Sequence, residues 1–154
     1  MMKARFALAI SSLLLIGNAQ ALSPEAEEGK TLYVACSACH DQALDPPKGP
    51  PMWAVQRRYK KQVADDQAFV NNMVSFVKSP SIETAVHREA VSQLGLMPAM
   101  PLPDGVLRKV ATYILEEDFA PPCDHWQIAI KRAEQAGDAD HAKKDRKMYN
   151  RFCR

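Results

Sequence analysis

Hydrophobic positions along this chain recur at steps of three and four, interrupted by proline-rich gaps. Phe69, Met73, Phe76 and Val77 follow Asp65-Asp66 at that spacing, which predicts a capped helix stopped by Pro80. Leu107, Val110, Ala111 and Ile114 repeat the pattern behind Asp104, and a shorter helix is predicted from about Ile82 to Leu94, closed by Gly95. Near the start, Gly29, Leu32, Tyr33 and Cys36 share one helical face. Ser23 stands ahead of them as N-cap, Pro24 at the first helical position, and Glu25, Glu27 and Glu28 over the positive end of the dipole. Asp124 can cap a helix to about Ala136 with Trp126, Ile130 and Ala133 as its apolar stripe. Gly137-Asp138 then ends one helix and opens another, which runs, highly charged, to Cys153. Pro46 to Pro51 and Met97 to Pro103 must be loops. No stretch alternates with period two, so the expected fold class is all-α.

The first residues follow a different logic. Met1 to Arg5 is positive, Phe6 to Gly17 is a run of twelve apolar or small residues, and Ala19-Gln20-Ala21 has the small-x-small pattern of a signal-peptidase site. Twelve helical residues rise about 18 Å, too little for a hydrocarbon core of ~30 Å. The expectation is a signal peptide over 1–21, cleaved after Ala21. The chain would then be periplasmic, with no membrane span after cleavage, in a compartment where disulfides persist.

Charge narrows the function classes. The formal net charge of +2 comes from Lys3 and Arg5, within the expected signal. Residues 22–130 carry 10 basic against 14 acidic side chains, and residues 131–154 carry 8 against 4. A nucleic-acid binder shows a basic patch across its folded body, and this body is net acidic, so no nucleic-acid partner is expected. The expected division is 22–120 as the main domain and 121–154 as an appended αα-hairpin.

Cys36-Ser37-Ala38-Cys39-His40 carries the chemistry. Two thiols three residues apart at a helix end project to one side, where both can reach one edge of a haem, and the adjacent histidine then lies beneath the iron. A redox dithiol usually accompanies a βαβ pattern, which is absent, and a zinc site needs a second ligand pair at matching spacing. The motif is read as attachment of one covalent haem c through Cys36 and Cys39, with His40 as an axial ligand.

From Ser23 to about Asp118 the chain resembles the small monohaem cytochrome c family. Gly29 and Tyr33 stand where that family packs its terminal helices together. Gly49-Pro50-Pro51 resembles the loop whose carbonyl accepts a hydrogen bond from the proximal imidazole, with Pro50 the first choice and Pro51 the alternative. Met97-Pro98, followed by a helix ending in Tyr113-Ile114, resembles the distal-ligand loop and closing helix. The resemblance implies Met97 as second axial ligand, with Met100, also followed by proline, as the alternative. A thioether is a soft donor that favours ferrous iron, which suits the assignment. Trp53, Arg57, Arg58 and Tyr59 are candidates for contacts to haem propionates, beside the plainer readings of a core tryptophan and, for the two arginines, a solvated basic turn. His87, His125 and His141 are read as surface or capping histidines.

Cys123 and Cys153 lack a CxxC partner. They lie fourteen residues before and sixteen after Gly137, so the two arms of an antiparallel hairpin, at ~1.5 Å per residue, bring them side by side as a disulfide. The expected function is a one-electron carrier between larger redox proteins, donor and acceptor docking transiently, and not an enzyme. The alternatives are a haem-carrying structural subunit of a larger oxidoreductase, or a haem sensor or peroxidase with a labile sixth ligand.

Overall fold

A computed structural model describes residues 21–153, so the expected signal peptide lies, except for Ala21, outside the described residues. Among the described residues the chain forms eight helices and no strand: α1 (Pro24–Leu32), α2 (Val34–His40), α3 (Met52–Gln62), α4 (Asp66–Lys78), α5 (Arg88–Leu94), α6 (Asp104–Glu116), α7 (Cys123–Gln135) and α8 (Ala139–Phe152). The all-α expectation is met. None of these helices is long and apolar enough to cross a membrane.

The core is made where α1 and α4 pack on α6. Phe69, Val70, Met73 and Val74 of α4 meet Leu107, Val110, Ala111 and Ile114 of α6, all buried. Gly29 sits where α1 crosses α6. A Cβ there would stand 1.9 Å from the Lys109 carbonyl oxygen, so only glycine admits so close an approach of the two backbones. Tyr33 closes the crossing against Tyr113 at 5.2 Å and Phe119 at 5.8 Å between ring centres. The Ser23 hydroxyl accepts from the Ala26 N–H at 3.2 Å, the cap its position implied, and also donates to Glu116 at 2.8 Å. Asp65 caps α4 through the Ala68 N–H at 2.7 Å.

Three local expectations change. Residues 52–62, left without an element, form α3. Its inward positions are Met52, Gln56 and Tyr59, and the polar glutamine in the middle hides the apolar stripe. Buried Gln56 donates its amide to the carbonyls of Ile114 and Glu117, each at 2.7 Å, so it satisfies orphan acceptors at the end of α6. The helix expected from Ile82 begins at Arg88 instead. Ser81 and Thr84 form a local turn, the Thr84 N–H donating to the Ser81 hydroxyl at 3.3 Å, and this competes with helix. Asp124 falls within the first turn of α7, whose N-cap is Pro122.

The hairpin forms as expected. Gly137 takes φ +73° and Asp138 caps α8 through the His141 N–H at 3.0 Å. Cys123 is disulfide-bonded to Cys153. The hairpin docks on α3 through aromatic rings: Trp53 packs edge-on to Trp126 at 5.6 Å and to Phe152 at 5.1 Å.

Candidate cofactor site

Helix α2 ends in the Cys-x-x-Cys-His sequence and presents Cys36, half-buried, and Cys39, exposed, as free thiols. The next loop folds back so that His40 Nδ1 lies 2.7 Å from the Pro50 carbonyl oxygen. A carbonyl only accepts, so Nδ1 carries the proton and Nε2 keeps its lone pair. Burial lowers the His40 pKa, opposed by the Pro50 hydrogen bond, and a neutral imidazole is the state that binds a metal. Gly49 leaves room for this packing: a Cβ there would sit 3.2 Å from His40 Cε1 and 3.1 Å from the Cys39 carbonyl oxygen.

Cys36, Cys39, His40 and Pro50 line one side of a cavity of about 590 Å³, which Met97 and Met100 also line. That volume lies within the ~300–1,000 Å³ of cofactor sites. The remaining wall is largely apolar, built from Met52, Val55, Met73 and Leu107 among others. Met97 and Met100 belong to the proline-rich loop after α5. The Met100 N–H donates to the Val77 carbonyl at 2.9 Å and its own carbonyl accepts from Leu102 at 2.8 Å, so the loop is anchored to the end of α4.

The donor set can be tested against the implied group. Among the described residues no three His, Cys, Asp or Glu side chains gather as they would for a bare metal ion. The Cys36 and Cys39 thiols, the His40 imidazole and the loop methionines Met97 and Met100, around a large apolar cavity, instead suit a flat macrocycle that brings its own equatorial nitrogens. The residues present fit a haem c.

Not every candidate gathers here. Trp53, Arg57 and Arg58 do not line the cavity. The Arg57 guanidinium lies 4.6 Å from the centre of the Trp53 ring and 5.7 Å from that of Phe152, a cation–π stack facing the hairpin, and Arg58 is exposed. Tyr59, on the same helix, does line the cavity, is 4 % exposed, and has its phenol pKa pushed up to about 12 by burial.

His87 was read as a surface or capping residue. It occupies the N-cap position of α5 without a side-chain capping bond and lines the cavity half-buried, its Nε2 hydrogen-bonded to the Ala54 carbonyl at 3.0 Å. Its polar neighbours in sequence concealed that placement. His141 Nε2 lies 3.0 Å from a carboxylate oxygen of buried Asp145, and His125 is half-buried; both stay within the hairpin. Comparison with protein-family models, with curated proteins and with solved structures gives no match to this chain.

Proposed function

We propose that the mature chain is a periplasmic monohaem cytochrome c that carries single electrons between larger redox proteins. The observation that supports this most directly is the state of His40. Its Nδ1 is committed to Pro50 and its Nε2 is free, at a cavity that is also lined by both free thiols of the Cys-x-x-Cys pair and by the loop methionines Met97 and Met100. When bound, a haem c would supply one iron that alternates between ferric and ferrous states.

The chain's own residues would do the rest. Cys36 and Cys39 would form the thioether links, and His40, oriented and made more basic by Pro50, would hold one axial position. Met97 would hold the other, with Met100 the alternative. The apolar lining would keep water from the group and so favour its less charged, ferrous state. With His40 and Met97 both held to the iron no site would be left for substrate, so the chain is proposed as a carrier and not an enzyme. Donor and acceptor would dock transiently.

The experiment is a visible spectrum of protein made with haem-loading machinery. A weak sulfur-to-iron band in the far red and poor carbon monoxide binding by the ferrous form are expected. Met97→Ala should abolish the band and lower the potential, while Met100→Ala should keep it; the reverse pattern moves the ligand to Met100. Replacing both Cys36 and Cys39 by Ala should release haem to acidified organic solvent. One observation favours a second reading: His87 lines the same cavity and could serve a sensor or peroxidase as an acid–base group. A missing far-red band with avid carbon monoxide binding would select that reading and overturn the carrier.

A further inference from the structure

The loop between His40 and α3 has a problem that its own residues do not solve. It holds the carbonyl that orients His40, yet Pro46, Pro47, Pro50 and Pro51 contribute no N–H to hold it. Among the described residues its two ends are tied to the flanking helices, and between Ala43 and Pro50 the backbone bonds to its own loop only through Ala43 N–H to the Asp41 carboxylate at 2.9 Å and Leu44 N–H to the Asp41 carbonyl at 3.4 Å. The C-terminal hairpin grips it on both sides. Upstream of Pro50, Arg132 of α7 forms an ion pair with Asp45. Downstream, Trp53 in the first turn of α3 packs against Trp126 and Phe152. Pro51 is bound into that same turn, its carbonyl accepting from Ala54 at 2.9 Å and from Val55 at 3.2 Å, so a displacement of Trp53 carries Pro50 with it.

The disulfide completes the device. Cys153 follows Phe152 directly and Cys123 lies one helical turn before Trp126, so the bond sets the two rings beside each other, 6.0 Å apart and 25° from parallel, as the surface that receives Trp53. A third tie, Lys144 to Glu89, reaches α5.

We propose that the disulfide-closed hairpin is a positioning strap: Trp126 and Phe152, through Trp53, hold the Pro50 carbonyl against His40 and so set the donor strength of that imidazole. The proposal rests on His40 being an axial ligand, and it makes Trp126 a positioning residue. A loosened hydrogen bond leaves the imidazole less basic and a poorer donor to ferric iron, so releasing the strap should raise the potential.

The test compares wild type, Trp126→Ala, Trp126→Phe and a Cys123→Ser/Cys153→Ser pair. The two cysteine changes remove no ring and guard against a Trp126→Ala chain that does not fold. The first readout is proton exchange at His40 Nδ1, followed by NMR in the protein as purified, with or without attached haem. The second is the potential of the loaded protein. Trp126→Ala and the Ser pair should each speed exchange at least tenfold. They should shift the ferrous-to-ferric ratio at fixed applied potential about three- to tenfold toward ferrous, about 30–60 mV for one electron. Trp126→Phe should restore most of both. If proteolysis shows the hairpin released while exchange and potential stay at wild-type values, the strap is wrong. Loss of the far-red band in the same variants would also overturn it, because the hairpin would then act on the methionine side. Absence of covalent haem from wild type refutes the carrier reading, and the exchange measurement still decides the strap.

Discussion

Gly29→Ala sets two effects of opposite sign against each other at one atom. Gly29 lies inside α1, where alanine gains about 0.5–1 kcal/mol of helix stability over glycine. The new Cβ would stand 1.9 Å from the Lys109 carbonyl oxygen, 2.5 Å from its carbon and 2.9 Å from Tyr113 Cβ. An ordinary C···O contact is about 3.4 Å, so α1 would have to retreat about 1.5 Å from a backbone that cannot swing aside. Overpacking costs about 1–3 kcal/mol and occasionally more, and a gap of that size forfeits much of the dispersion along the crossing. With the overpacking cost at the upper end of that range, the clash wins by about 2 kcal/mol, lowering Tm by on the order of 10 °C. Gly105, in the first turn of α6 and exposed, provides the control: a Cβ there meets nothing within 4 Å, so Gly105→Ala should leave Tm unchanged or raise it a few degrees. Thermal melts of both variants by helical circular dichroism, with the disulfide intact, read the difference. A Gly29→Ala protein melting at or above wild type would refute the close crossing of α1 and α6.

Gln56→Leu keeps the volume but strips the Ile114 and Glu117 carbonyls of their donor, and should cost about 1–3 kcal/mol by urea denaturation. Burial lowers the His87 pKa below its ordinary 6.5, so below that pH the unfolded chain binds more protons there and stability should fall as pH falls. Melts at pH 7.5 and 5.5 should show this contribution, and His87→Gln should reduce the slope without abolishing it, since burial lowers the His40 and His125 pKa values as well. High salt should not release the hairpin: exposed ion pairs such as Arg132–Asp45 contribute about 0–1 kcal/mol each and are screened at 1 M, whereas the ring contacts are not. Tryptophan emission should therefore stay in place from low salt to 1 M sodium chloride, and a red shift would show that charge holds the hairpin.

Local physics was legible in the sequence where it acts over a few residues. Ser23, Asp65 and Asp138 cap the helices their positions implied, because a cap is decided by a side chain and an N–H three residues on. The Cys123–Cys153 bond followed from arm length alone. Helix α3 was not legible, for a reason that lies far from it in sequence. Gln56 breaks the apolar stripe because its partners, the carbonyls of Ile114 and Glu117, stand 58 and 61 residues away. Long-range placement hid His87 too: behind its polar neighbours in sequence, its ring is half-buried and bonded to the Ala54 carbonyl 33 residues earlier.

Within the site, the chain segments that supply donors could be read, but the loading of α3 could not. The resemblance implied a carbonyl of Pro50 or, as the alternative, Pro51, and it is the Pro50 carbonyl that accepts from His40. Trp53 and Arg57 were candidates for propionate contacts by their donor chemistry, yet a helix turns through 100° per residue and that angle carries them to the face of α3 toward the hairpin. The hairpin docked there also accounts for the uneven distribution of charge along the sequence. The body is short of cations by four and the tail has four in excess. Arg132 pairs with Asp45 and Lys144 with Glu89, so part of the surplus on each side is met by the other. A basic tail on an acidic body suggests a surface waiting for an outside partner; here two of its cations turn inward, and they do so at the loop beside His40 and at the helix that leads to Met97.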